Sequence, residues 1–174
     1  VYELGPHRLV CGDPRDAAVW AALMGGEKLR MVWTDPPYGV AVNAVESVEE
    51  AKLLHRRTDG LTVENDALSP DDLEELLRVA FGRVLAACER GAVWYVAAPA
   101  GPLHLRFAAV LDELACWRQT LMWLKQVFAF GRSDYHYRHE PIFYGWTPGA
   151  AHYFVDHREQ HSVLEFDRPS RSPE

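Results

Sequence analysis

Long apolar runs are missing from this sequence. No stretch approaches the roughly 18 consecutive apolar residues that cross a bilayer, which excludes a helical membrane span. The first residues, Val1 to Gly5, have neither the basic start nor the apolar core of a secretory signal, so a cytoplasmic protein is expected. Cysteine is scarce: Cys11, Cys88 and Cys116 are odd in number and far apart. That excludes a disulfide framework and leaves three reduced thiols beside apolar segments. A basic excess is missing too. The formal charge of −7 argues against a protein that coats nucleic acid nonspecifically.

The acidity is local. Between Val40 and Arg90 eleven acids face six bases, whereas from Trp117 to Trp146 the bases Arg118, Lys125, Arg132 and Arg138 outnumber Asp134 and Glu140. A mildly basic, aromatic-rich face therefore remains. At 174 residues, nearly half of them hydrophobic, the chain is long enough to bury a core as one domain.

Strand-like and helix-like segments alternate along it. His7–Cys11 reads as a short strand. Asp16–Met24 reads as a helix capped by Asp13 or Asp16 and stopped at Gly25-Gly26. Leu29–Thr34 is a strand buried on both faces, and Val40–Asn65 is a long connection without periodicity, expected to be a mobile loop. Ser69-Pro70-Asp71-Asp72 starts a helix whose apolar residues recur with a core-facing period until Gly91. Further strands are expected at Ala92–Ala97, Trp117–Lys125, Pro141–Gly145 and His152–Val155, with a helix at Leu103–Leu114. Strands separated by helices predict a parallel, doubly wound α/β sheet.

The most informative residues are Asp35-Pro36-Pro37-Tyr38, immediately after the Leu29–Thr34 strand. Open α/β sheets bind ligands outside the carboxyl ends of their strands. A carboxylate and a fixed carbonyl there can accept both hydrogens of an aromatic amine. The amine nitrogen is drawn toward tetrahedral geometry, and its lone pair leaves the ring. Asp35 supplies the carboxylate and Pro36 the carbonyl, proline having fixed φ and no N–H. Tyr38 can stack on the ring, and a base held this way must stand outside a duplex. Arg132 and Arg138, interleaved with Phe128, Phe130, Tyr135 and Tyr137, form a candidate phosphate-contacting and base-stacking loop. His136, His139 and Glu140 crowd together without the spacing that puts two imidazoles on one helical face. A metal-dependent hydrolase using them is a weak rival. Ser133, Asp134 and His136 are neighbours in sequence, which is not triad geometry.

Gly12-Asp13, Thr34-Asp35-Pro36-Pro37-Tyr38-Gly39, Trp123-Leu124-Lys125, His139 to Gly145 and Phe166 to Ser170 occur in an order that resembles the S-adenosylmethionine-dependent DNA amino-methyltransferases (N6-adenine/N4-cytosine family) of the β-class. The resemblance covers essentially the whole chain. It implies a Rossmann-like methyltransferase sheet with flanking helices, and a protein that methylates DNA, for instance in restriction-modification. By it Asp35, Pro36, Pro37 and Tyr38 are catalytic, and Asp13 and Asp35 contact the methyl donor. Tyr38, Gly39, Phe143 and Tyr144 line the target-base pocket, and aspartate at the first catalytic position points to adenine N6.

The sequence departs from the family in one respect. No Gly-x-Gly occurs in it, so the glycine-rich donor-binding strand and loop are absent and the sheet is incomplete. The resemblance then implies the N-terminal, catalytic-motif portion of a longer enzyme. Its partners would be DNA and the missing segment, or a second chain supplying it, with a homodimer as a further expectation. A DNA-binding or assembly subunit that keeps the fold without catalysis is the main alternative.

Overall fold

A computed structural model describes residues 1–39, 67–128 and 134–167. The expected loop 40–65, Phe130, Arg132 and Ser133, and the segment 168–170 lie outside the described residues. The chain opens with a hairpin of β1 (Tyr2–Leu4) and β2 (His7–Leu9), which forms its own two-stranded sheet. Helix α1 (Ala17–Met24) follows, with the Asp16 carboxylate accepting from the Ala18 N–H at 2.8 Å and Gly25 ending it at φ 55°. Strand β3 (Leu29–Thr34) leads toward α2 (Pro70–Ala87), β4 (Cys88–Ala97), α3 (His104–Glu113), β5 (Gln119–Leu124), β6 (His139–Trp146) and β7 (Val163–Glu165).

The larger sheet has the order β3-β4-β6-β5-β7. Pairs β3–β4 and β5–β7 are parallel, and β6 runs antiparallel to both its neighbours. The sheet is therefore mixed, not all-parallel as the alternation predicts. Helix α3 provides the crossover that a parallel return requires, and it carries β5 two places from β4, leaving one place between them. The described residues between β5 and β6 include no helix, so β6 returns antiparallel into the vacant place. Two further expectations change. The α2 helix ends at Ala87, and Gly91 instead lies within β4, at φ 80°, where the β3–β4 register shifts. Residues 152–155 form no strand; the sheet edge beside β5 is taken by β7.

Helix α2 begins as its sequence dictates. Ser69 Oγ accepts from the Asp72 N–H, Pro70 occupies the first turn, and Asp71 and Asp72 complement the helix dipole. Its stripe of Leu73, Leu76, Leu77, Phe81 and Val84 packs with Phe107, Val110 and Leu111 of α3 against Val32, Trp94, Val96 and Phe143 of the sheet. On the surface, Arg78 bridges Glu74 and Glu75 of α2 to Glu113 of α3, and Arg106 pairs with Glu74. Cys88 and Cys116 are buried, whereas Cys11 is exposed. Burial raises the Cys116 thiol to about 11. The opposite sheet face carries a row of rings, Trp33, Tyr95, Tyr144 and Trp146, with successive centroids 5.2, 5.2 and 6.1 Å apart. Among the described residues no helix is long and apolar enough to cross a membrane.

Candidate active site

Strand β3 pairs with β4 through Thr34 and Val96, and the chain leaves the sheet at Asp35. Pro36 and Pro37 remove two N–H groups and fix φ, so the chain turns without continuing the ladder. Tyr38 folds back over the core, its ring edge-on to Phe107 of α3 at 6.1 Å and 86°. Gly39 follows at φ 69°, where a Cβ would stand 3.0 Å from Leu73 Cδ2 and strain the turn. Burial raises the pKa of the Tyr38 phenol first. The Asp35 carboxylate, as hydrogen-bond acceptor and as charge, adds to this, followed by the charge of Glu140. The phenol is thus a neutral donor directed at Asp35.

The same end of the sheet receives polar groups from three other elements. Ala98 N–H donates to the Pro141 carbonyl at 3.0 Å, which sets the start of β6 beside the exit of β4. Glu140 pairs with Lys125, which immediately follows β5, and both side chains are half-buried. The Lys125 ammonium also lies 5.5 Å from the centre of the Trp123 ring. Arg138 is tied to this corner, Nε donating to the Lys125 carbonyl at 2.9 Å. Tyr137 lies edge-on to His139, and its hydroxyl is 3.8 Å from the Cβ position at Gly101, so its ring bridges toward the β4–α3 loop. His104, the first residue of α3, stacks on Phe143 at 4.5 Å. Burial lowers its pKa, with the Pro99 carbonyl opposing.

The other sequence-selected residues fall elsewhere. Phe143 is 1% exposed and sandwiched between His104 and Trp117. Tyr144 stands on the opposite sheet face, in the aromatic row. Asp13 sits in an exposed turn, clamped by Arg15 through Nε, Nη2 and the backbone N–H. Those bonds hold its carboxyl down to about 2. Arg15 lines a cavity of about 310 Å³ with Leu68, Asp72, Glu75, Leu76 and Val79. The Leu68 carbonyl lies 3.7 Å from the Cβ position at Gly39, so this cavity adjoins the tetrapeptide. Among the described residues no three His, Cys, Asp or Glu side chains converge as metal ligands. Neither His104 nor the pairing of Lys125 with Glu140 is marked by any motif in the sequence. An antiparallel register between the two strand-like runs would have revealed the pair.

No protein-family model matches the chain, and no curated protein sequence matches it. Solved structures do. It is similar to TTHA0409 of Thermus thermophilus, described as a candidate DNA modification methylase, with a TM-score of 0.56 and 14% identity over 91% of this chain and 67% of that one. The S-adenosylmethionine complex of TTHA0409 gives 0.51 and 16% over 86% and 59%. M1.HpyAVI gives 0.52 and 11% over 88% and 63%, and its complex with S-adenosylmethionine 0.51 and 12% over 93% and 67%. The likeness is one of fold. The chain spans between 59% and 67% of the length of these structures.

Proposed function

We propose that this chain is the catalytic-motif portion of a DNA methyltransferase acting on adenine N6. The observation that carries this reading is the placement of Asp35-Pro36-Pro37-Tyr38 at the carboxyl end of β3, in a fold shared with structures solved with S-adenosylmethionine. S-adenosylmethionine supplies an electrophilic methyl group when bound. The residues of this chain act on the acceptor. Asp35 and the Pro36 carbonyl accept from the amine hydrogens and free the nitrogen lone pair. Tyr38, neutral and braced on Phe107, fixes Asp35 until the amine takes its place, and its ring limits the base's movement.

The residues present fit the donor only in part. The Asp13 carboxylate is already engaged by Arg15, and the sequence has no glycine-rich loop to hold a donor carboxylate. Among the described residues β3 pairs on one side only, and Met31 and Trp33 are 53% and 62% exposed. A strand edge of this kind accepts another strand. Further chain from the rest of the protein, or from a second chain, completes the sheet there and brings the donor cradle.

Calorimetric titration with S-adenosylmethionine, on this chain alone and joined to a segment carrying such a loop, tests the reading. Binding by the joined form alone is expected. Tight binding by this chain alone would contradict the external cradle. Failure of both would leave the DNA-binding subunit as the better account.

A further inference from the structure

Lys125 and Glu140 come from the ends of two strands and meet where the tetrapeptide emerges. Glu140 stands opposite Trp123 across the β5–β6 ladder. Lys125, two residues past Trp123, extends that ladder through its N–H bond to the Arg138 carbonyl, so it is the diagonal neighbour of Glu140 on the same face. Their side chains are 30% and 25% exposed, open to a ligand yet partly desolvated. An ammonium has three donors, and among the described residues only Glu140 accepts from this one. Pairs as exposed as this contribute little to stability, so folding alone gives the pair little reason to exist.

The ladder fixes where the pair lies relative to Asp35. Thr34 pairs with Val96, Ala97 with Ile142, and Ala98 bonds Pro141. Glu140 is therefore at the level of the residues just past Thr34, with only β4 between. Two strand spacings separate β3 from Glu140 on β6, roughly 10 Å, and Lys125, just past β5, starts one spacing farther, roughly 14 Å from β3, with its long side chain reaching back to Glu140. A flat heterocycle whose amine rests on Asp35 extends across β4 and presents its ring edge toward Lys125. Glu140 also faces Tyr38 closely enough for its charge to act on the phenol.

The geometry points to Lys125 as a second contact for the extruded adenine: its ammonium, aimed by Glu140, donates a hydrogen bond to a ring nitrogen flanking the amine. Glu140 is then a positioning residue. This inference rests on the methyltransferase reading and assigns the recognition of the ring to a corner of the sheet remote in sequence from the tetrapeptide.

The test uses the full-length protein and oligonucleotides carrying adenine, 1-deazaadenine or 7-deazaadenine at the methylated position. Replacing one of the two nitrogens by carbon should cost the unaltered protein roughly tenfold in kcat/KM, mainly through KM. Lys125→Met should lose a similar factor on adenine and be indifferent to that same replacement. Lys125→Arg should recover part of the loss, and Glu140→Gln should fall between. Equal turnover of all three oligonucleotides by the unaltered protein would overturn the inference, as would a Lys125→Met variant still sensitive to both replacements. Absence of any transfer to adenine would instead strike the functional reading. Fluorescence anisotropy with the same oligonucleotides then decides the Lys125 contact, and equal binding of all three would refute it.

Discussion

Asp35 and Tyr38 share one short turn, and the proposed function gives them different duties. Burial, then the neighbouring carboxylates of Asp35 and Glu140, keep the Tyr38 phenol protonated, so it meets Asp35 as a donor. Asp35→Ala in the full-length protein should retain the native circular dichroism spectrum and lose at least about a hundredfold in methyl transfer, the usual scale for removing a preorganised polar contact to the reacting group. Near-native turnover would remove Asp35 from its assigned role. Asp13 makes a separate claim. Its carboxyl is held at about 2 by Arg15, against 3.8 in the unfolded chain, so the unfolded state binds more protons between those values. Stability from this contact is present above pH 3.8 and lost as pH falls toward 2. The unfolding midpoints of the unaltered chain and Asp13→Asn should differ above that window and converge below it. The tetrapeptide was legible in the sequence because two prolines after an apolar strand admit few conformations. Lys125 and Glu140 were not, since strand register is invisible without the partner strand.

At the scale of elements, signals that act within one turn were legible, whereas the pairing and burial of strands were not: Leu29–Thr34, expected to be buried on both faces, exposes Met31 and Trp33. Ser69-Pro70 places the start of α2 because both residues act within one turn. The aromatic and β-branched run from His152 to Val155 imitates a strand, but His152 stacks on Trp146 at 3.8 Å and the segment finds no sheet edge. The direction of β6 also depends on what lies across from it, and no periodicity reports that. One residue of β6 shows how tightly the strand is held. A Cβ at Gly145 would stand 1.7 Å from the Cys116 carbonyl oxygen, within backbone that cannot step aside cheaply. Gly145→Ala should therefore cost about 2–3 kcal/mol or more, read as a lowered denaturant midpoint with unchanged slope. A midpoint equal to that of the unaltered chain would show that the turn at Cys116 yields.

For the whole molecule, the described helices join a core on one sheet face, while the other face carries the row from Trp33 to Trp146. The α/β class was legible because buried strands and amphipathic helices differ in period. The sheet order was not, since it is set by which crossover leaves a place vacant. The proposed function draws the acceptor half of the site from β3, β4, β5, β6 and α3, and assigns the donor half to chain that completes β3. That division is consistent with a chain spanning about two thirds of the structures it resembles. The most direct measurement is mass spectrometry of nucleosides from DNA incubated with the full-length protein and S-adenosylmethionine carrying a labelled methyl group. The account predicts labelled N6-methyldeoxyadenosine, absent when Asp35→Ala replaces the unaltered protein. Label found only on cytosine, or on no base at all, would contradict it.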